Sequence, residues 1–293
     1  MPSLKDVELK IKGVKKTKQI TKAMNMVASA KMRSAQDRIE RFRPYADKFY
    51  EMLGDLASGA DGSDHPLLEV REEIKTSAIV LITSDRGLCG SFNSHMIRMG
   101  LKLAAQKTAE GKTVKFYCVG KKGCEAVRKS EYEAVMSLPD AMSHYDFGLA
   151  NNVGMDVIKA YLAGELDEVT VVYGKFINMA RQDPIALEVL PIAPEEKSEE
   201  AEPAQSNAEY IYEPEVGGLL AELLPRFIKV QLYRGMLDTS ASEHAARMAA
   251  MDNATKACDD LVENLTLVYN KTRQASITSD LMDIVSGAEA LNG

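Results

Sequence analysis

The sequence contains no tryptophan, and aromatic residues make up only 6% of its 293 residues. Strands favour aromatic and β-branched residues, so this scarcity, together with 15 Met, favours helix-on-helix packing over an all-β core. No apolar run approaches the roughly 18 residues that a membrane-spanning helix needs. The Lys-rich start also lacks the apolar stretch of a signal peptide. We therefore expect neither a membrane span nor a secretory signal.

The few cysteines and histidines form no pattern that is typical of a metal site or a catalytic centre. The four Cys stand at positions 89, 118, 124 and 258, with no CxxC or Cys/His spacing. The four His lie apart from one another and from any Ser or Cys nucleophile motif. We therefore predict reduced thiols in a cytoplasmic protein, with no metal, no cofactor and no catalytic residue.

Charge is distributed unevenly along the chain, whose formal net charge is −7. Residues 1–50 hold 13 Lys and Arg against 5 Asp and Glu, whereas residues 195–215 hold 8 Glu and one Lys. This asymmetry indicates a basic helix that meets an acidic partner. A solvated helix face is the alternative interpretation.

A long helix is predicted at the start of the chain, over residues 4–43, with Ser3 and Asp6 as a weak capping box. Its apolar stripe is predicted at residues 4, 7, 11 and 14, and after a polar gap at 20, 24 and 27. This spacing keeps side chains on one seam. Pro44 predicts a break or kink, followed by a second helical stretch to about residue 57.

The chain is also predicted to be helical from about Leu219 to its end, with Pro225 as an early interruption. Between Arg226 and Ser286 there is no proline and only one glycine. A heptad seam is predicted at residues 261, 265, 268, 272, 275 and 279. About 60 helical residues would span roughly 90 Å, more than the width of a compact chain of this mass. We predict that this helix pairs antiparallel with the first one.

The middle of the sequence alternates strand and helix. Strands are predicted at residues 78–83, 113–119 and 169–177, with a further candidate at 187–192. Helical stretches are predicted to end near 109 and to cover 121–129 and 151–163. This alternation predicts a mostly parallel sheet with helical crossovers.

The predicted fold class is therefore α/β, with a long antiparallel coiled coil of the terminal helices and a central Rossmann-like α/β domain. Its predicted segments are an N-terminal coiled-coil helix at 1–57, the α/β domain at 70–194, an acidic loop at 195–215 and a C-terminal coiled-coil helix at 219–293.

A glycine-containing turn, Ser84–Ser91, follows the first predicted strand and precedes a helix. This position suits phosphate binding, but the turn matches neither GxGxxG nor GxxxxGK(S/T). A structural turn or a subunit contact is the favoured interpretation, and nucleotide binding is the alternative.

The Lys-rich first helix raises nucleic-acid binding as a further alternative. However, Ile11 and Val14 lie between those lysines, the whole chain is acidic, and no aromatic stacking residues interleave. A basic face that meets acidic protein loops is the favoured interpretation.

Several segments, in order along the chain, resemble the γ-subunit family of F-type ATP synthases. They are residues 20–32 (ITKAMNMVASAKM), 43–45 (RPY), 83–90 (TSDRGLCG), 210–214 (YIYEP), 242–254 (SEHAARMAAMDNA) and 269–278 (YNKTRQASIT). The resemblance covers both ends and the core of the chain.

The resemblance implies a central rotary shaft that couples ion-driven rotation of the membrane c ring to ATP synthesis or hydrolysis at the β subunits. Its implied partners are the ring of three α and three β subunits, the ε subunit and the c ring, with no nucleic acid. It would carry no active site and would touch the membrane only through the c ring, as a peripheral protein at the cytoplasmic face of a bacterial inner membrane. The cysteine pair of chloroplast relatives is not evident, so thiol switching is not expected.

The resemblance also implies roles for particular residues. Contacts with the β subunits are implied for Lys22, Met24, Lys31, Arg273, Gln274 and Thr278. Contacts of the foot with the c ring or ε subunit are implied for Tyr212, Glu213 and Arg86. The alternative function is an α/β nucleotide-binding enzyme that dimerises through its helices.

Overall fold

The computed structural model describes residues 3–59, 65–69, 71, 73–192 and 216–292. In chain order its elements are α1 Leu4–Gly59, β1 Thr76–Ile82, α2 Phe92–Ala109, β2 Thr113–Val119, α3 Lys121–Val127, β3 Glu133–Leu138, a 3-10 turn Ala141–Ser143, α4 Phe147–Leu162, β4 Glu168–Phe176, β5 Gln182–Leu190 and α5 Val216–Asn292. They form two compact units. The helical pair consists of residues up to Ser29 and from Arg247, and the sheet unit consists of Ala30–Ala246.

The two helices of the helical pair run antiparallel. Lys18 forms an ion pair with Asp259, and the Thr21 and Thr255 hydroxyl oxygens lie 2.8 Å apart. Residue numbers rise along α1 as they fall along α5, since Asn25 Nδ2 donates to the Met248 carbonyl at 2.9 Å. The predicted antiparallel pairing is therefore confirmed.

The seam of α1 differs from the predicted stripe after Val14. Ile20 and Val27, which were predicted to face the seam, are 60% and 57% exposed. The residues that face α5 after Val14 are instead Lys18, Thr21 and Asn25, which continue the spacing of three and four residues without a break. The prediction was wrong because it excluded polar residues from the seam, whereas here they are paired across it.

The seam of α5 is displaced by one residue from three of its predicted positions. Ala275 is exposed whereas Ser276 is half-buried, and the same shift occurs at two apolar positions. Leu261 and Val268 are 47% and 44% exposed, while the next residues, Val262 and Tyr269, are half-buried. Several faces of this helix carry apolar side chains, so the apolar pattern alone did not determine which face meets α1.

The start of α1 has the predicted capping box. The Asp6 N–H donates to Ser3 Oγ at 3.2 Å, and the Ser3 N–H donates to Asp6 Oδ2 at 3.3 Å. These reciprocal bonds satisfy backbone donors that a helix start otherwise leaves free.

The predicted break at Pro44 is wrong, since α1 continues through it to Gly59. A proline inside a helix removes one hydrogen bond and costs about 3 kcal/mol. Met32, Ala35, Ala46 and Phe49 are all buried in the sheet unit. Burial of these side chains on either side of Pro44 offsets the local loss.

The sheet has the strand order β3-β2-β1-β4-β5. β1 is parallel to β2 and β4, β2 is parallel to β3, and β5 returns antiparallel to β4. The predicted mostly parallel sheet is therefore confirmed. β3 was not predicted because it is a short edge strand whose residues are mostly exposed. Met136 and Leu138 are its side chains that pack, partly buried, against the core.

Helices cover both faces of the sheet. On one face, Val80 and Ile82 of β1 belong to a core with α4 and the first part of α5. On the other face, Ile79 and Leu81 belong to a core with α2 and α3. β1 is therefore buried on both sides, which explains why its sequence is a continuous apolar run.

Candidate functional site

Lys22 and Met24, two of the predicted contact residues, lie beside the polar layers of the helical pair. Their neighbours Thr21 and Asn25 bond across the seam, which leaves Lys22 exposed and Met24 half-buried. A cation and a flexible apolar side chain are thus presented at one level of the pair. Such a surface fits a protein partner with acidic and apolar groups.

Lys31, the third predicted contact on α1, lies on the part of the helix that belongs to the sheet unit. Its side chain is exposed, whereas the adjacent Met32 is fully buried. Because Met32 faces the core, the adjacent Lys31 side chain is directed towards solvent.

Arg273, Gln274 and Thr278 are all exposed on α5, and they form a second, separate surface of the helical pair. Thr278 Oγ1 donates to the Gln274 carbonyl at 3.0 Å, so these two residues share one face. Met248 lies level with Asn25, and Arg273 is roughly 37 Å further along the helix. The structure therefore does not bring the two predicted groups together.

Large apolar side chains are exposed around Thr278. They are Ile277, Leu281, Met282, Ile284 and Val285, and the most exposed is Ile284 at 67%. If the register of the pair is extended from Thr21 and Thr255, Leu4 lies level with residue 272, so this end of α5 extends beyond the start of α1. A helix that is apolar on several faces is normally buried, so this segment presents a surface for another protein. Sequence reasoning named the polar residues here but missed the apolar ones, although their occurrence on more than one face was a usable signal.

The turn after β1 uses its polar groups internally. The Ser84 N–H donates to Asn93 Oδ1 at 3.1 Å, and Ser84 Oγ donates to the Arg86 carbonyl at 2.7 Å. Asp85 accepts from the Lys121 N–H at 3.0 Å and from Ser143 Oγ at 3.0 Å. A phosphate cradle needs backbone N–H groups that point outward. Here the Ser84 N–H of the turn and the Lys121 N–H at the start of α3 are already engaged in hydrogen bonds. This geometry favours the structural turn over the nucleotide site.

The same turn presents Arg86 and Leu88 at the carboxyl edge of the sheet. Arg86 is exposed, and Leu88 is 65% exposed with a left-handed φ of 62°. A non-glycine residue held in this region costs about 1 to 3 kcal/mol. An exposed leucine held in a costly conformation indicates a contact residue rather than a packing residue.

The remaining predicted foot residues, Tyr212 and Glu213, lie outside the described residues, as does the acidic segment up to Glu215. Among the residues that the structure does describe, no three His, Cys, Asp or Glu side chains come together in a way that could hold a metal ion. Within the same ranges, no helix combines the length and the apolarity needed to cross a membrane.

Comparison with known proteins supplies the family. A family model described as "ATP synthase" matches residues 3–291. An ATP synthase gamma chain from Nitratidesulfovibrio vulgaris (strain Miyazaki F) is 75% identical over 295 residues, which cover all of both chains. The chain belongs to the ATP synthase gamma chain family.

Solved structures related to this ATP synthase gamma chain family share the fold. A chain in the central stalk and c-ring structure of the Tetrahymena thermophila mitochondrial ATP synthase has a TM-score of 0.58 and 26% identity, covering 80% of this chain and 99% of that one. A chain in the Euglena gracilis mitochondrial OSCP/F1/c-ring structure has a TM-score of 0.68 and 21% identity, covering 98% and 94%. Because the identity to the Euglena gracilis chain is only 21%, this similarity supports the fold alone.

Proposed function

We propose that this chain is the central rotary shaft of an F-type ATP synthase, which couples ion-driven rotation of a c ring to ATP synthesis or hydrolysis at the β subunits. The observation that carries the proposal is the end of α5, where Ile277, Leu281 and Ile284 are each more than half exposed. A ring of α and β subunits that closes around this end would bury those side chains. Membership of the gamma chain family supports the same assignment.

The proposed partners divide along the chain. The helical pair is the shaft, and we assign Lys22, Met24 and Lys31 to acidic loops of the β subunits, because a rotating contact between opposite charges is attractive without being fixed in one geometry. We assign Arg273, Gln274 and Thr278 to a second β-subunit loop near the end of α5.

The α/β part of the sheet unit, residues 70–194, forms the proposed foot. Arg86, Tyr212 and Glu213 are its proposed contacts with the ε subunit and the c ring, and residues 195–215 are part of the foot contact. The proposed shaft consists of segments 1–57 and 219–293, and the proposed foot consists of segment 70–194. The membrane would be reached only through the c ring, which places the chain at the cytoplasmic face of a bacterial inner membrane.

The chain itself is proposed to be non-catalytic. Transmitting torque requires stiff paired helices, whereas hydrolysis requires converging polar groups around a bound nucleotide. The turn after β1 engages the Ser84 N–H and the Lys121 N–H in internal hydrogen bonds, which leaves these groups unavailable to a phosphate.

Co-assembly tests the proposal. The purified chain alone is expected to hydrolyse no ATP, and mixing it with α and β subunits of a close relative should yield a stable complex with much higher activity. Failure to assemble, or hydrolysis by the chain alone, would remove the proposal.

Charge reversal tests the contact residues. Lys22→Glu with Lys31→Glu should lower ATP-driven ion pumping by the reconstituted enzyme several-fold, while the thermal midpoint of the isolated chain stays nearly constant because both side chains are exposed. Lys102→Glu with Lys159→Glu is the matched control, since both are exposed and the net charge changes equally. Equal losses of pumping in the two pairs would contradict the assignment of Lys22 and Lys31.

A further inference from the structure

The fold brings together two cysteines that the sequence keeps apart, Cys118 at the end of β2 and Cys124 within α3. Between them Gly120 takes a left-handed φ of 98°, which turns α3 back against the strand. Cys124 Sγ then lies 3.6 Å from the Cys118 carbonyl oxygen, to which it donates. Cys118 is fully buried in the core between the sheet and α3, and Cys124 packs half-buried against that core.

Cys124 also lines a cavity of about 590 Å³ at the β3 edge of the sheet. The other lining residues are Lys121, Glu125, Arg128, Tyr132, Ala134, Ser137 and Pro139. Lys121 precedes Cys124 by three residues and Arg128 follows it by four, so both cations lie on the same face of the helix. Glu125 forms an ion pair with Lys122, with 3.0 Å between Glu125 Oε2 and Lys122 Nζ. A small reagent can therefore reach Cys124 through a cavity whose unpaired charge is positive.

The two thiols differ in acidity, and Cys124 is the more acidic of the two. A hydrogen bond with the Cys118 thiol lowers the pKa of Cys124, and the Leu138 backbone and the Ser137 hydroxyl act in the same direction against burial. The same hydrogen bond, together with burial, raises the pKa of Cys118. Half-exposed thiols near cations are the reactive ones, because the thiolate is the nucleophile.

We propose that Cys124 is a site of oxidative modification by peroxides and that Cys118 is its resolving thiol. The Cys124 thiolate attacks one peroxide oxygen, the O–O bond breaks, and the products are a sulfenic acid at Cys124 and, after protonation, water. Cys118 then attacks the Cys124 sulfur, its proton leaves with the hydroxyl as a second water, and a disulfide forms. This inference does not rest on the proposed shaft function.

The chain provides its own comparison thiols. Cys89 is buried, donates to the Arg86 carbonyl at 3.8 Å and accepts from Asn93 Nδ2 at 3.2 Å. Cys258 is half-buried in the helical pair. Both should react more slowly than Cys124, and the similar burial of Cys258 makes it the matched control.

Peptide mapping of the full-length chain after treatment with hydrogen peroxide, without reduction, tests the proposal. A Cys118–Cys124 linked peptide that dithiothreitol reverses is expected. In Cys118→Ser, Cys124 should instead be trapped by dimedone as the sulfenic acid, and in Cys124→Ser, Cys118 should stay a thiol. Circular dichroism of each variant excludes misfolding as the cause.

Alkylation rates provide a second measurement that needs no variant. Iodoacetamide should modify Cys124 several-fold faster than Cys258 at neutral pH, because the lowered pKa of Cys124 raises its thiolate fraction. Equal rates at Cys124 and Cys258, or a peroxide-treated chain without the linked peptide, would overturn the inference.

Discussion

Gly120 determines how α3 lies against β2. A Cβ at this position would stand 2.1 Å from the Thr83 carbonyl oxygen, and its φ of 98° is one that side chains rarely adopt. The neighbouring Thr83 Oγ1 accepts from the Gly123 N–H at 2.7 Å. The turn therefore has no room to move away from an added methyl group.

Gly120→Ala should destabilise the chain by about 4 kcal/mol or more, because steric overlap adds to backbone strain. Gly111→Ala is the matched control: its φ is also positive, at 85°, but nothing lies within 4 Å of the added Cβ, so only about 1 kcal/mol is expected. Urea unfolding of both variants measures the difference, and equal losses would show that the close approach to Thr83 is unimportant.

Asp238 is a buried carboxyl on α5. Burial raises its pKa to about 6, against the opposing attraction of Arg234, Lys175 and Arg43. A raised carboxyl pKa means that the folded state holds the proton more tightly than the unfolded chain. The stabilisation is complete below the unfolded pKa of 3.8 and is lost as the pH rises through about 6.

Asp238→Asn should therefore stabilise the chain by about 2 to 3 kcal/mol at pH 7.5, and this gain should fade as the pH falls towards 4. The exposed Asp156→Asn on α4 should change stability by less than about 0.5 kcal/mol at either pH. Thermal unfolding across this pH range measures both, and a gain that grew on acidification would contradict the assignment for Asp238.

At the scale of elements, the seam of α1 depends on small and polar residues as much as on large apolar ones. Ala28 is 1% exposed and Val27 is 57% exposed, although valine is the more hydrophobic residue. Position along the 3-4 repeat, not side-chain hydrophobicity, decides which of the two faces α5.

Ala28→Leu should cost about 1 to 3 kcal/mol, because three added carbons must fit into a closed seam. Val27→Leu, one residue away on the outer face, should change stability by less than about 0.5 kcal/mol. Chemical unfolding of the full chain compares the two. A larger loss from the change at Val27 would mean that the seam has been assigned to the wrong face.

Sequence reasoning succeeded where local pattern and environment agree. The apolar run that begins at Ala78 indicated a strand, and Ser3 with Asp6 marked the helix start. It failed at Pro44, where distant burial outweighs a local penalty, and at Glu133–Leu138, a short edge strand whose residues are mostly exposed. Cys118 and Cys124 show the same limit, since only the turn at Gly120 makes them neighbours.

At the scale of the whole molecule, the predicted contact residues of the helical pair lie at separate levels along it rather than at one site. Lys22 adjoins Thr21, whose level at Thr255 lies roughly 27 Å along the pair from Arg273, and Met24 adjoins Asn25, whose level at Met248 lies roughly 37 Å from it. The family resemblance supplied these residues, whereas composition and spacing alone gave only a basic helix and an acidic loop. A shaft requires such separation, because several subunits must be touched at once, whereas an enzyme would bring its polar residues together.

Single-molecule rotation tests the proposed function most directly. With the α and β subunits fixed to a surface and a bead attached through Lys102→Cys on the exposed side of α2, added ATP should turn the bead stepwise in one direction for as long as ATP is hydrolysed. A complex that hydrolyses ATP at full rate while the attached bead stays still would contradict the rotary role of this chain.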